Sequence, residues 1–486
     1  MQIIPSAFKI ASRFTAPVAI PSSSVIALLA LALGTADCSL RAATPEENWG
    51  QWRGPLQNGV APKADPPMEW SESKNLKWKV KISGRSTATP IIWDDNVFVQ
   101  SAVPAEKKAE FPGAVPPQFA AQQQAQPNPG GRGGPGGPGR AEAPQDRFQF
   151  VISALDRRSG KLLWQRTLRE EVPHEGHHPK DGTFASSSPI ADGEHLFAYF
   201  GSRGLYGLDH QGNVRWQKDL GRMRTKNAFG EGSSPALFGR YLVVNWDHEG
   251  DDFIAAFDKN TGAELWRKPR EEQTSWSTPL ILQFGGTTQV VVNASAKVRS
   301  YELTSGKELW AVGPLTANAI PSAVAGNGLI YSMSGFRGAA LFALRPAASG
   351  DLTGTDSVVW TYNRDTPYVP SPLLYDDQLY FLKGNEATLT ILHAGTGKPL
   401  VSAERLEGIR GVYASPLGAA GRVYLAGRDG GVLVLKKGDQ LEVLARNKLD
   451  DQFDASPAAV GNQLFLRGMT HLYCIAPTER ADGAGR

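Results

Sequence analysis

The sequence predicts an all-β fold, an eight-bladed β-propeller of four-stranded antiparallel blades with its ring closed by an N-terminal strand. Three observations lead there. A proline, usually after a small residue, opens a hydrophobic stretch eight times, at Pro90, Pro189, Pro235, Pro279, Pro321, Pro372, Pro416 and Pro457. From Pro189 onward the intervals are 46, 44, 42, 51, 44 and 41 residues, and each holds several short strands, as propeller blades do. The better copies end in Asp-x-x-Thr-Gly-x-x-x-Trp, most clearly at Asp258-Lys259-Asn260-Thr261-Gly262 followed by Leu265-Trp266.

Blade 2 shows the internal order. Pro189-Ile190-Ala191 opens the inner strand, and His195 to Phe200 forms the second. Gly204 to Asp209 forms the third and Val214 to Lys218 the outermost, each bounded by Gly, Asp or Ser turns. The Asp-x-x-Thr-Gly element joins strands three and four. Its carboxylate accepts turn N–H groups and its glycine supplies positive φ. Asp156/Gly160, Asp209/Gly212 and Asp258/Gly262 fit it, whereas Thr304-Ser305-Gly306 and Thr396-Gly397 keep only the turn half. Trp164, Trp216, Trp266, Trp310 and Trp360 follow in blades 1–5 as apolar plates between blades. Blades 6 and 7 have Val401 and Glu442-Val443 there. Blade 8 lacks a fourth strand before the polar tail at 478–486. Residues 75–82, with Trp78 as plate, supply it and leave no open edge. The propeller therefore spans 45–477.

Blade 1 carries an insertion at 104–147 between Val97-Phe98-Val99-Gln100-Ser101 and Phe150-Val151-Ile152-Ser153-Ala154-Leu155. It is rich in Pro, Gly, Gln and Ala and has too little apolar surface to fold, so it is expected to be disordered.

The formal net charge of +3 over 486 residues nominates no nucleic acid. Lys9 and Arg13, the apolar run Val25 to Leu33 and the small residues Gly34-Thr35-Ala36 read as an export signal at 1–36 cleaved after Ala36. The mature chain then has no transmembrane span and is periplasmic or secreted. The rival is a lipoprotein acylated at Cys38, from whose motif Asp37 departs. Cys474, the other cysteine, lies in an apolar run and reads as a buried thiol. A Cys38–Cys474 bridge is the alternative.

Polar residues concentrate on one face. His174, Glu175, His177 and His178 enter blade 2. Arg222, Arg224, Lys226, Asn227 and Glu231 enter blade 3. Arg270, Glu271, Glu272 and Trp276 enter blade 4. Asp247-His248-Glu249-Gly250-Asp251-Asp252 joins strands two and three of blade 3, on the same side. Four of the eight histidines lie here. Three readings stand: a salt-bridged rim that fixes long loops, a ligand- or partner-binding patch, or an acid–base or metal site. No catalytic or metal-ligating residue is nominated. Arg203, Arg337, Arg428 and Arg467 follow second strands, and Arg85 and Arg410 lie in entry loops on that side. They either ring the funnel mouth for anions or pair with carboxylates such as Asp429 and Asp454. Ser186-Ser187-Ser188 and Ser233-Ser234 recur at one blade position without an attached His and read as structural turns.

The segments Ala154-Leu155-Asp156…Gly160-Lys161-Leu162-Leu163-Trp164 and Ala256-Phe257-Asp258…Thr261-Gly262-Ala263-Glu264-Leu265-Trp266 resemble the pyrroloquinoline quinone (PQQ)-type β-propeller family. Trp49-Gly50-Gln51-Trp52-Arg53-Gly54-Pro55…Gly59-Val60 is similar to the opening of its exported bacterial members. The resemblance implies the fold and two functional branches. Quinoprotein dehydrogenases hold PQQ and calcium near the axis, many under two adjacent cysteines. This chain has no such pair, and their Glu, Asn and Asp calcium set finds no match. The branch of the outer-membrane assembly factor BamB is a periplasmic scaffold without cofactor. The expectation is a monomeric, non-enzymatic scaffold for other envelope proteins, without cofactor. The alternative is a PQQ-dependent oxidoreductase using the polar face.

Overall fold

A computed structural model describes residues 44–105, 140–347 and 349–478. The export signal, Cys38, residues 106–139 of the insertion and residues 479–486 of the tail lie outside the described residues. Eight antiparallel sheets form eight blades. Blade 1 comprises Ile91–Trp93, Asn96–Pro104, Phe148–Asp156 and Leu162–Glu171. Blade 3, built the same way, comprises Ala236–Phe238, Tyr241–Trp246, Phe253–Asp258 and Glu264–Pro269. In blade 8 the strand Leu76–Lys81 lies outside His471–Ile475, with Trp78 opposite Cys474. Inner strands touch between blades 1 and 2, 3 and 4, 5 and 6, 6 and 7, and 8 and 1. Helix is confined to three short 3₁₀ turns among the described residues, and none of it is long and apolar enough to cross a membrane.

The repeat motif holds blade to blade. Trp78, Trp164, Trp216 and Trp266 each donate their indole N–H to the next blade's turn, at Arg157 O, His210 O, Lys259 O and Leu303 O, over 2.7–3.0 Å. Trp360 does the same to Ala394 O. The turn glycine faces that indole. A Cβ on Gly262, at φ +68, would come within 2.6 Å of Trp216 Cε3. The glycine thus serves both the positive φ and the close approach of the plate. The Asp caps the turn, Asp258 Oδ1 accepting from Asn260 N and Thr261 N at 3.0 and 3.1 Å.

The structure corrects two expectations, on Pro321 and on the insertion. Trp310 is a plate between blades 4 and 5 as expected, but it bonds Gln289 Oε1 of its own blade at 2.8 Å, because blade 5 has no tight turn between its third and fourth strands to receive the indole. Its third and fourth strands are joined by a longer excursion, from which Gly350–Asp351 adds a fifth, parallel strand to blade 4. Pro321 does not mark the start of blade 5. Ser322 makes the blade-to-blade bond that the residue before the proline makes elsewhere, so the irregular 42 and 51 intervals reflect a shifted proline. The insertion is ordered at its end: Arg140 Nη2 meets Glu175 Oε1 at 2.8 Å and Ala141 N donates to Asn227 O.

Residues 49–65 cross the face opposite the polar loops. Trp49 pairs with Ile92 of blade 1, and Ala191 N of blade 2 donates to Gly50 O. Gln57 bonds Ile281 of blade 4 through both backbone groups. Gly59 O accepts from Gly418 N of blade 7, and Asp65 N reaches Gly461 O of blade 8. Arg53 is buried and donates to Pro416 O at 2.8 Å and Pro372 O at 2.6 Å. Desolvation without a carboxylate partner drops its pKa to about 9. Gly59, at φ +92, leaves room for that guanidinium, which a Cβ would meet at 2.1 Å. The segment thus plugs one end of the axial channel.

Candidate functional site

The structure divides the polar residues of blades 2–4 into loop-fixing bonds, an open groove and the wall of an axial cup. Most fix loops. Asp247 and Arg270 form a fully buried ion pair, Nε to Oδ1 at 2.6 Å, and Arg270 also reaches Tyr301 Oη at 2.7 Å. Glu175 accepts from Thr225 N at 2.8 Å. Glu249 accepts from Thr274 Oγ1 at 2.8 Å, and its carbonyl from Arg224 Nη2 at 2.6 Å. His174 Nε2 lies 2.6 Å from Met223 O while Arg222 Nη1 approaches Nδ1 at 3.4 Å. That fits a neutral ring with its proton on Nε2. Burial first, then Arg203, lowers its pKa. His177 lies edge-on to Phe184, 4.6 Å between centroids, and burial lowers its pKa too. Asn227, at φ +54, offers its carbonyl to the insertion.

The groove lies beside blade 3 and measures about 640 Å³. Trp246 and Phe253, stacked at 5.5 Å, form its floor. Arg222, Arg224 and His248 border it, and the Arg267 guanidinium sits 3.7 Å over the Phe253 ring. His248 Nδ1 accepts from Arg224 N at 3.3 Å, so Nε2 donates to Asp251 O at 3.2 Å. Desolvation, then the Asp247 charge, raises the Asp252 pKa to about 6.

The second cavity, about 420 Å³, occupies the axis. His178, Glu231 and Trp276 belong to it, together with Trp52 from the plug. Trp276 is fixed by Nε1 donating to Gly230 O at 2.7 Å. Glu231 accepts from Ser202 N at 2.6 Å and Arg203 Nη1 at 2.7 Å. The entry loops of blades 2 and 3 mesh above it, with His178 N donating to Phe229 O and the His178 ring edge-on to Phe229 at 4.9 Å. Asp181 reaches across the mouth. Its Oδ1 accepts from Arg428 Nη1 of blade 7 at 2.7 Å, and Arg428 Nε meets Asp454 of blade 8 at 2.7 Å. His178 Nδ1 lies 3.1 Å from Asp181 Oδ2 but is not aligned as a hydrogen bond. Desolvation raises the Asp454 pKa.

Sequence reasoning missed most of the cup: Phe336, Tyr368, Tyr413, Asp181 and the hydroxyls described below. The signal existed in the small residue beside each proline, before it in seven blades and after it, as Ser322, in blade 5. Of the six arginines, the carboxylate-pairing reading holds for Arg203 and Arg428. Arg467 is buried against Ser101 Oγ at 3.0 Å, and Arg337 is exposed beside Phe336.

Eight short-stranded blades, indole-to-turn docking and a plugged axis define a PQQ-type propeller. The chain belongs to the family described as outer membrane protein assembly factor BamB, whose model matches residues 149–398. Among solved structures, the quinohemoprotein alcohol dehydrogenase of Comamonas testosteroni superposes with a TM-score of 0.56 at 11% identity, over 91% of this chain and 83% of that one. The quinohemoprotein alcohol dehydrogenase ADHIIG of Pseudomonas putida HK5 gives 0.53 at 10%, over 91% and 82%. BamB of Moraxella catarrhalis gives 0.46 at 14%, over 68% and 90%. No curated protein sequence matches.

Proposed function

We propose that this is an exported, non-enzymatic scaffold of the cell envelope that docks protein partners on the rim over blades 2–4. The observation that carries this reading is the groove: an aromatic floor bordered by Arg222, Arg224 and Arg267. Aromatic and arginine side chains are the usual anchors of protein interfaces. The loops around it are held rigid by buried bonds such as Asp247–Arg270, so docking orders little chain. The favoured partner segment is acidic with an aromatic or aliphatic anchor. Export rests on the signal read at 1–36.

The cup fits PQQ and calcium poorly. PQQ carries three carboxylates, and the cup wall presents Asp181, Glu231 and Asp454. The arginines nearby already hold those carboxylates. Among the described residues no three His, Cys, Asp or Glu side chains gather as a metal site.

The test pairs two measurements. Capture from envelope extract, read by mass spectrometry, should return proteins with the native chain that are lost with Arg222→Glu/Arg224→Glu. Protein reconstituted with PQQ and Ca²⁺ should show no dye-linked dehydrogenase activity, and robust turnover would sink the scaffold reading.

A further inference from the structure

A belt of hydroxyls circles the axis. Each link runs from the backbone N–H of one blade's belt residue to the side-chain oxygen of the next. Thr89 N donates to Ser188 Oγ, Ser188 N to Ser234 Oγ and Ser234 N to Thr278 Oγ1, at 2.8–3.0 Å. The belt continues through Ser322, Ser371 and Ser415 to Ser456. These oxygens accept one N–H each, and their own O–H groups donate to nothing among the described residues. Thr89 Oγ1, where the belt ends, has no partner. Ser188, Ser234, Thr278, Ser415 and Ser456 line the cup at only 2–8% exposure. Unused buried donors cost free energy until something accepts from them.

We infer that the cup is a binding site for a neutral, hydroxyl-rich small molecule, a mono- or disaccharide. Three features choose that class. The belt supplies donors deep in the cup, while Asp181 and Glu231 supply acceptors, and a sugar hydroxyl serves both. Trp276 and the stacked Phe336–Tyr368 pair, 4.7 Å between centroids, offer flat apolar faces to the C–H faces of a pyranose. Charge argues against the rivals. A polyanion would meet carboxylates, and an organic cation would compete with Arg203 and Arg428 for theirs. A volume of about 420 Å³ lies within the usual range for small-molecule sites. This site is separate from the partner groove, so either holds without the other.

Titration of the full chain, followed by tryptophan fluorescence and calorimetry, tests it with glucose, maltose, trehalose and N-acetylglucosamine. PQQ with Ca²⁺ and spermidine serve as charged controls. At least one sugar should bind saturably with a Kd of about 1 mM or tighter. Trp276→Ala should weaken it at least tenfold, with Phe336→Ala as the second variant should the first not fold. Arg224→Glu should leave it unchanged. Failure of all four sugars to bind, binding of the charged controls alone, or sugar binding indifferent to both aromatic variants would overturn the assignment.

Discussion

Replacing Asp247 with alanine should destabilise the propeller severely, for reasons of geometry alone. Both side chains of the Asp247–Arg270 pair are fully buried. The carboxylate accepts from Arg270 Nε and Nη2 at 2.6 and 3.1 Å, from Ser275 Oγ at 2.6 Å and from Asn245 Nδ2 at 3.1 Å. Alanine leaves a buried guanidinium with only Tyr301 Oη for company. Breaking a buried pair from one side costs about 3–5 kcal/mol, and the orphaned Ser275 hydroxyl, with Asn245 Nδ2 left only its 3.3 Å bond to Ser275 Oγ, puts the loss in the upper half of that range. The assay is urea unfolding at pH 7 followed by tryptophan fluorescence, with the m-value checked for constancy. Asp247→Asn, which keeps shape but not charge, should fall between. Arg270→Met in the Asp247→Ala background should recover at least about 2 kcal/mol, because the uncompensated charge is then gone. An Asp247→Ala protein within about 1 kcal/mol of the parent, or a double variant that merely adds two losses, would refute the structural role.

Other outcomes follow from the same structure. Gly262→Ala should cost about 2–3 kcal/mol in the same assay, since positive φ and the 2.6 Å contact with Trp216 act together. Gly285→Ala, at φ +56 with open space around it, should cost only about 1 kcal/mol. Asp252 binds its proton more tightly folded than unfolded, so its contribution is present at low pH and lost as pH rises from about 4 through about 6. Asp252→Asn should flatten that part of a stability–pH profile and raise stability at pH 7. Arg428→Gln should release the loop that Asp181 latches and leave the buried Asp454 carboxylate without its cation, seen as faster tryptic cleavage after Lys180 and a lower urea midpoint.

The local parts of the fold were legible in sequence because each is written within a few residues. The Asp258 cap, the Gly262 turn and the Trp266 plate lie within one copy of the repeat. What failed were features whose partners lie far along the chain. Pro321 looked like its neighbours, but only the bond from Thr278 to Ser322 shows which residue holds the register. The strand Gly350–Asp351 joins blade 4 through its backbone and through the Lys297–Asp351 ion pair, whose partners lie 54 positions apart. Loop class correctly brought the polar residues of blades 2–4 to one face. It could not separate rim from cup, because Asp181 finds its arginine 247 positions away.

Desolvation explains why so many ionisable groups on that face hold loops. A carboxylate as buried as Asp247 survives ionised only with a cation and further donors around it, and an arrangement that tight leaves no lone pair for a substrate proton. The belt hydroxyls are different. A neutral O–H costs far less to bury unsatisfied than a charge does, so a ring of them persists at the axis without closing on itself. The plug at 49–65 and the Asp181–Arg428 latch then turn an open channel into a blind cup whose carboxylates are already paired with arginines. Recognition there depends on hydrogen bonds and flat apolar contact, while charge complementarity belongs to the groove outside. Sugar binding and partner capture should accordingly respond differently to salt. Raising ionic strength weakens docking at Arg222 and Arg224, which are solvent-exposed, and leaves a neutral ligand in the cup almost unaffected. Equal salt sensitivity of both would mean that the cup, too, recognises charge.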